Sequence, residues 1–321
     1  MRSLTLVALL LSSSSWAEAA VLLFPAVGTP GQVTLSGRVL KHAPSAGSST
    51  FSKNLRRLTS SNWQGASVEV RYADRSAGVV SGHDGNFSVT FSGEKKPFEV
   101  GLATAEAHVM GAEAGIATVD IIASTAPFFV VSDFDDTLAI TNVVKGSELV
   151  KAALLQDETS QPVVEGMAAF YGCLKEDKPA RPGFALVSGS PAQYVGRVRQ
   201  FLNTHGFPVF GIYLRDLGPS TLSNYKQPVI RSLLKEVPND AVLIGDSGEH
   251  DPEVYAQMRT EFPERVRAIY IRDAGKADVA TRFAGMFLFK TPKQAALDAV
   301  QKGLASAECV ARAFPEPKET K

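Results

Sequence analysis

The sequence predicts an α/β protein: a doubly wound parallel-sheet domain preceded by an antiparallel β-sandwich-like domain. Three observations carry this expectation. From about Val33 to Ala123, runs such as "VTLSGRVL", "ASVEVRY" and "IATVDII" alternate apolar and polar residues with a period of two, the pattern of half-buried antiparallel strands. After Pro127 the runs become almost wholly apolar, as in "FFVVSD", "FALVSG", "FGIYLRD", "AVLIGD" and "RAIYIRD", which is how strands covered on both faces of a parallel sheet read. Between them lie amphipathic stretches of roughly 10 to 15 residues, the helices that such units require.

Taken in order, the chain opens with "MRSLTLVALLLSSSSWAEAA". One basic residue, a short apolar stretch and small residues at Ala17 and Ala19 are expected to form a cleavable secretory signal over residues 1–19, sending the protein to the periplasm or outside the cell. The apolar stretch from Leu4 to Leu11 is well short of the ~20 residues that span a bilayer. The β-rich domain is expected over 20–125. Its polar, Ser-rich segment from Ala43 to Gly65 reads as a long loop with a short helix around Leu55. The clearest hairpin signal is "GHDGNFSVTF", with Asp84-Gly85 as the turn and Phe87, Val89 and Phe91 on one face. The second domain is expected over 126–310, with helices at Val164–Leu174, Ala192–Asn203, Gln227–Glu236, Pro252–Phe262 and Pro292–Leu304. A frayed, charged tail is expected at 311–321.

The composition excludes some functions. Lys plus Arg and Asp plus Glu number 33 each in 321 residues, so no net field recruits nucleic acid. Lys53, Arg56 and Arg57 read as a solvated face. The two cysteines, Cys173 and Cys309, make no disulfide framework and no metal site. They are expected as buried free thiols, with pairing the alternative.

Chemistry concentrates at the strand ends, where open parallel sheets bind ligands. The first strand delivers Asp133 and Asp135, followed by Thr137. The second ends at Ser188 and Gly189, after which Ser190 is expected to cap a helix and Pro191 to occupy its first turn. Lys226 opens the helix after the third strand, and "LIGDSGEHDPE" presents Asp246 and Asp251 after the fourth. Like-charged carboxylates this close need a cation, a proton or water. Oxygen ligands from separate strands suit Mg²⁺, and a hydroxyl, a lysine and a helix N-terminus facing it suit a phosphoryl group. Asp136 is expected to turn the chain with its side chain away from its neighbours. His250 reads as solvent-exposed, and Arg272 as a partner of Asp273 or a group at the site's rim.

The order D-x-D-x-T (Asp133, Asp135, Thr137), Ser188, Lys226 and G-D-x-x-x-x-D (Asp246, Asp251) resembles the four motifs of haloacid dehalogenase superfamily phosphatases. The strings "SDFDDTLAITN", "SGSP", "IGDSGEHDPEVY" and "IYIRD" are similar to the catalytic domain of the actin-patch-type phosphatidate phosphatase family and its bacterial relatives, over roughly Phe128 to Asp273. This resemblance implies that Asp133 is the nucleophile and Asp135 the general acid and then base. It implies that Asp133, the Asp135 backbone carbonyl, Asp246 and Asp251 serve Mg²⁺, and that Ser188, Gly189 and Lys226 bind the phosphoryl group. Thr137 would hydrogen-bond the motif turn.

Superfamily cap domains are inserted after the first motif or between the second and third. Here those intervals, 55 residues from Asp133 to Ser188 and 38 from Ser188 to Lys226, leave no room for a large cap. An open site admits a bulky substrate or a headgroup at a membrane surface. The expectation is therefore phosphatidate hydrolysis to diacylglycerol and phosphate at a phospholipid surface, with the flap "ELVKAALL" as a short packed helix or an acyl-chain contact. A phosphatase of phosphoproteins or soluble organophosphates is the first alternative. A non-catalytic surface-binding protein is the second, disfavoured because all four motifs are intact.

Overall fold

The computed structural model describes residues 19–42, 61–141, 161–176, 180–216, 222–275 and 279–316. Most of the expected signal (1–18), the Ser-rich loop around Leu55 (43–60) and the flap (142–160) lie outside them.

The first nine strands are β1 (Ala19–Leu23), β2 (Ala26–Thr29), β3 (Gln32–Leu40), β4 (Ser67–Tyr72), β5 (Arg75–Val80), β6 (Asn86–Ser92), β7 (Gly101–His108), β8 (Ala112–Glu113) and β9 (Gly115–Ile121). They form one sheet in the order β5-β4-β7-β9-β2-β3-β1-β8, with β6 added on β3. Pairing is mostly antiparallel, as expected, but β1 with β8 and β2 with β9 run parallel. The period-two face closes on a core that includes Val33, Leu35, Val68, Val70, Phe91 and Val119. Tyr72 on β4 and Phe91 on β6 lie 6.3 Å apart, so strands far apart along the sheet meet across that core. The expected hairpin is corrected. Gly85 does turn the chain, with φ of 71°, and Phe87 and Phe91 are buried. However, β6 pairs with β3 from Gln32↔Ser92 to Arg38↔Asn86, not with the strand before it. An apolar face fixes which side of a strand is buried but not which neighbour completes its ladder.

The second sheet comprises β10 (Phe129–Ser132), β11 (Phe184–Pro191), β12 (Gly211–Arg215), β13 (Ala241–Asp246), β14 (Val266–Arg272) and β15 (Phe287–Phe289). All its pairs are parallel, in the order β12-β11-β10-β13-β14-β15. The helices are α1 (Met167–Lys175), α2 (Val195–Thr204), α3 (Leu222–Glu236), α4 (Asp251–Glu261), α5 (Pro292–Gln301) and α6 (Ala307–Ala313). Successive residues of β10 show why its sequence is apolar throughout. Phe128 and Val130 pack with Met167 of α1, Val198 of α2, Ala295 of α5 and Cys309 of α6, while Phe129 and Val131 pack with Ile230 of α3 and Val254 of α4. The chain steps from β10 outward to β12 and then returns to place β13 on the other side of β10. Strand order reverses there, opening a crevice at the carboxyl ends of β10 and β13.

Three further expectations change. Cys173 and Cys309 are not free thiols but a disulfide. Their helices α1 and α6 pack on the same face, with the two Cα atoms 5.5 Å apart, inside the range a bridge spans. Their separation of 136 residues hides this proximity from a linear reading. Ser190 and Pro191 still belong to β11, and the next turn is a short 3₁₀ segment, Ala192–Tyr194, before α2. Helix α6 also runs through Ala313, past the expected start of the tail, and Phe314 packs on the core.

The two sheets are joined by hydrogen bonds and shared packing. The Ile212 amide donates to the Pro25 carbonyl at 2.7 Å, and the Val27 amide donates to the Tyr213 hydroxyl at 3.3 Å. Arg181 donates to Asp120 at 2.9 Å, and buried Arg38 donates to Asp216 and, at 2.9 Å, to Asn86. Val27 and Ile122, both from the N-terminal part, belong to the same apolar cluster as α3 and α4. Among the described residues no helix is long and apolar enough to cross a membrane.

Candidate active site

The aspartate cluster is presented by a turn whose apolar residues anchor it. Phe134 is buried and meets Phe201 edge-on at 5.2 Å, and Leu138 is buried in the same cluster. The Leu138 amide closes the turn on the Phe134 carbonyl at 2.9 Å. Asp136 sits at the tip with φ of 53°, a left-handed conformation that Asp tolerates better than most residues. Its Oδ1 accepts from the Thr141 amide at 2.9 Å, so it turns the chain as expected. Its carbonyl accepts from Arg272 Nε. Arg272 therefore braces the turn at the edge of the site, in line with the rim reading rather than a pairing with Asp273.

Asp133 continues β10, its amide donating to the Ile244 carbonyl at 2.9 Å, and is fully buried. Lys226 Nζ donates to its Oδ1 at 2.8 Å and Thr137 Oγ1 to its Oδ2 at 3.1 Å. Burial pushes the Asp133 carboxyl well above the usual carboxylate range, opposed by Lys226 and reinforced by Asp251, Glu249 and Asp246. Asp135 turns to a different set of partners: its Oδ2 accepts from Ser188 Oγ at 3.0 Å and Ser190 Oγ at 2.8 Å. Burial raises its pKa, and the two hydroxyls pull it partly back. Gly189, between the serines, is held through its carbonyl by Arg215 Nε at 3.1 Å.

Lys226, on α3, is 2% exposed. Besides Asp133 it donates to Asp251 Oδ1 at 2.5 Å and Glu249 Oε2 at 3.4 Å. Burial alone would lower its pKa, but Asp133, Asp251 and Glu249 together hold it well above the ordinary lysine value. Asp246 ends β13, with Oδ1 accepting from the Gly248 amide at 2.5 Å. Its Oδ2 is buried with no hydrogen-bond partner. Burial, then Asp251, push its pKa up to about 8. Asp251 is drawn in tightly because residue 245 is glycine. A Cβ there would stand 2.4 Å from Asp251 Oδ2, the oxygen that accepts the Asp246 amide at 3.3 Å.

One oxygen from each of Asp133, Asp246 and Asp251 lies within 4.8 Å of the other two. An all-oxygen donor set with an orphaned, buried Asp246 oxygen fits a hard divalent cation. The Asp135 carboxylate stands with the serines rather than in this trio. Of the eight expected site residues, Asp133, Thr137, Lys226, Asp246 and Asp251 form one group joined by hydrogen bonds and the carboxylate trio, Asp135 pairs with Ser188, and Gly189 follows Ser188 in the chain. His250 faces solvent with its side chain 66% exposed.

Sequence reasoning missed two groups. Before Pro191, Ser190 reads as a helix cap, yet positions i and i+2 of an extended segment face the same way, so "SGSP" offers both hydroxyls. Glu249 gave no such signal, since a loop acid beside Gly248 is ordinarily solvated. Around it, Arg282 donates to the carbonyls of Ser247, at 2.5 Å, and Glu249, fixing the loop.

Residues 128–273 match the family model described as the catalytic domain of phosphatidate phosphatase APP1. The uncharacterized protein C29B5.04c of Schizosaccharomyces pombe is 31% identical over 180 residues, covering 53% of this chain and 28% of that protein. Phosphatidate phosphatase APP1 of Saccharomyces cerevisiae is 31% identical over 150 residues, covering 44% of this chain and 25% of that protein. The chain thus spans under a third of the length of these curated relatives. A solved structure of the Pnkp1/Rnl/Hen1 complex aligns over 47% of each chain at 16% identity and a TM-score of 0.36, too distant a likeness to argue from.

Proposed function

We propose that the protein is a Mg²⁺-dependent phosphatidate phosphatase, on the match of residues 128–273 to the model of the phosphatidate phosphatase APP1 catalytic domain. The reaction is hydrolysis of phosphatidate to diacylglycerol and phosphate. The finer fold reading goes with it: a doubly wound haloacid dehalogenase domain without a large cap, behind a sandwich-like β-domain. The sheet order and the convergence of four strand-end motifs support it.

The observation that carries the proposal is the division of labour between Asp133 and Asp135. Asp133 is oriented through both oxygens, by Lys226 and Thr137, as a nucleophile must be. Its carboxylate attacks phosphorus, the bond to the ester oxygen breaks, and Asp135 gives its proton to that departing oxygen. Asp135 then takes a proton from the water that opens the aspartyl-phosphate, regenerating Asp133. A group that is acid in one half-reaction and base in the other works best with a pKa near the working pH. Burial favours its protonated form, and the Ser188 and Ser190 hydroxyls favour the ionised one. Lys226 also reduces repulsion between Asp133 and the phosphoryl oxygens. Asp133, Asp246 and Asp251 would hold Mg²⁺, which when bound supplies positive charge to the transferring phosphoryl group.

Purified protein with Mg²⁺ is assayed on phosphatidate in detergent micelles, p-nitrophenyl phosphate and a phosphopeptide, beside Asp133→Asn. The expected result is Mg²⁺-dependent release of phosphate from phosphatidate, lost in the variant. Equal inactivity of both proteins on every substrate would sink the enzyme reading, and activity confined to soluble esters or the phosphopeptide would sink the lipid one. The Cys173–Cys309 bridge supports export to an oxidising compartment. Recovery of the protein from the reducing cytosol with both thiols free would overturn that part.

A further inference from the structure

A cleft of about 400 Å³ runs between the two sheets, where β12 faces β3 and β6. It lies within the ~300–1,000 Å³ typical of small-ligand sites; no candidate active-site residue lines it, but two of its wall residues neighbour that site along the chain and the sheet. Leu214, in its wall, is the register partner of Ser188, placing it one strand spacing, ~4.8 Å, from the phosphoryl-binding residue. Tyr225, also in its wall, directly precedes Lys226, which holds the nucleophile.

The chemistry of the lining selects the occupant. Phe24, Phe87 and Leu214 supply apolar surface, while Thr34, Ser36 and Ser88 present hydroxyls. No Lys, Arg or His lines it among the described residues. Arg38, beneath it, is committed to Asp216 and Asn86. A site for a second phosphate or a free carboxylate would need an available cation. The one carboxylate in the wall, Asp216, is met by Arg38 and Asn86, and Ser36 and Ser88 hydrogen-bond each other at 3.1 Å while keeping oxygens toward the cleft. Hydroxyls beside hydrocarbon, with the acid already paired, match ester carbonyls joined to acyl chains.

Resting on the functional reading above, we propose that this cleft receives the uncharged glyceride part of the substrate, the diacylglycerol leaving group. The β-domain, through β3 and β6, then forms half of the substrate site. This gives the docking of the two sheets a catalytic purpose beyond stability.

The test fills the cleft from its exposed side with Ser88→Trp, with Ser36→Trp as a second filling variant on the neighbouring strand. Thr104→Trp, on exposed β7 surface, is the control. Dioctanoylglycerol is titrated as an inhibitor of p-nitrophenyl phosphate hydrolysis, and kcat/KM is measured for phosphatidate and p-nitrophenyl phosphate. Wild type and the control are expected to be inhibited competitively. Either filling variant should weaken that inhibition, and lower the ratio of phosphatidate to p-nitrophenyl phosphate kcat/KM, by about tenfold. Wild type that hydrolyses phosphatidate, with folded filling variants that keep both its ratio and its inhibition, overturns the cleft assignment alone. Wild type that turns over p-nitrophenyl phosphate but never phosphatidate overturns the functional reading and the assignment with it.

Discussion

At the scale of single residues, Asp246 is the most informative group: one oxygen accepts from Gly248, and the other, deep inside the protein, meets no donor. Its pKa rises to about 8, against an ordinary value of ~3.9 in the unfolded chain. A carboxyl with a higher pKa folded than unfolded binds its proton more tightly in the native state. Its stabilisation is complete below about pH 4 and is lost as pH rises through about 8. Asp133 and Glu249, also raised, act in the same direction. Lys226 stays charged throughout that window, because its own pKa is raised above 10.5. The metal-free protein is therefore expected to melt at falling temperature from pH 5 to pH 8, and Mg²⁺ to flatten that decline by favouring the ionised carboxylates. Thermal melts in EDTA and in Mg²⁺ at each pH check this, and a melting temperature in EDTA that holds level or climbs with pH would count against it. The motif residues were legible because each stands at the end of an apolar run. The burial of Lys226 was not, since a lysine early in a helix carries no sign of the three carboxylates that later surround it.

At the scale of elements, two glycines at the junction of the sheets make contrasting predictions. A Cβ on Gly211 would stand 2.7 Å from the Val27 backbone nitrogen and 2.9 Å from the Ala26 carbonyl carbon. These are backbone atoms of β2, which cannot step aside without losing its ladder. A Cβ on Gly183 would meet side-chain atoms only, Ile122 Cδ1 at 2.3 Å and Cγ1 at 2.4 Å; the buried Ile122 must swing about χ1 to clear it, but no backbone of either sheet has to move. Gly211→Ala should cost about 1–3 kcal/mol and Gly183→Ala distinctly less, as read by urea denaturation; equal losses would show that the sheets are not held as described. The disulfide makes a second prediction at this scale. Cys309→Ser frees α6 from α1 and should cost about 2–5 kcal/mol, seen as a lower melting temperature that reductant no longer changes. The long parallel strands could be read in advance from their continuous apolar character. β15 could not, because three residues are too few to show a pattern. The partner of β6 could not either, because its alternation fits any neighbour with an apolar face.

At the scale of the molecule, the two sheets share their interior. Val27 and Ile122 lie in one apolar cluster with α3 and α4, and Asn239 ties the chain between the sheets by donating to the Ala126 carbonyl at 2.7 Å. None of this was visible in the sequence, where a change of rhythm near Pro127 reads as a boundary between independent parts. The boundary is real for the strand ladders, which pair only within each sheet, but not for packing or for the hydrogen bonds that cross from one part to the other. A fragment limited to residues 128–273, the span that the family model matches, leaves out β15, α5, α6 and Cys309 as well as Val27 and Ile122. It should accordingly be recovered as aggregate, while 19–316 should be monodisperse by light scattering. A soluble fragment with a cooperative melt would refute this. For transplanting this site into another scaffold, the practical consequence is that the smallest portable unit is the pair of sheets, because the segment recognisable by descent is smaller than the segment able to fold.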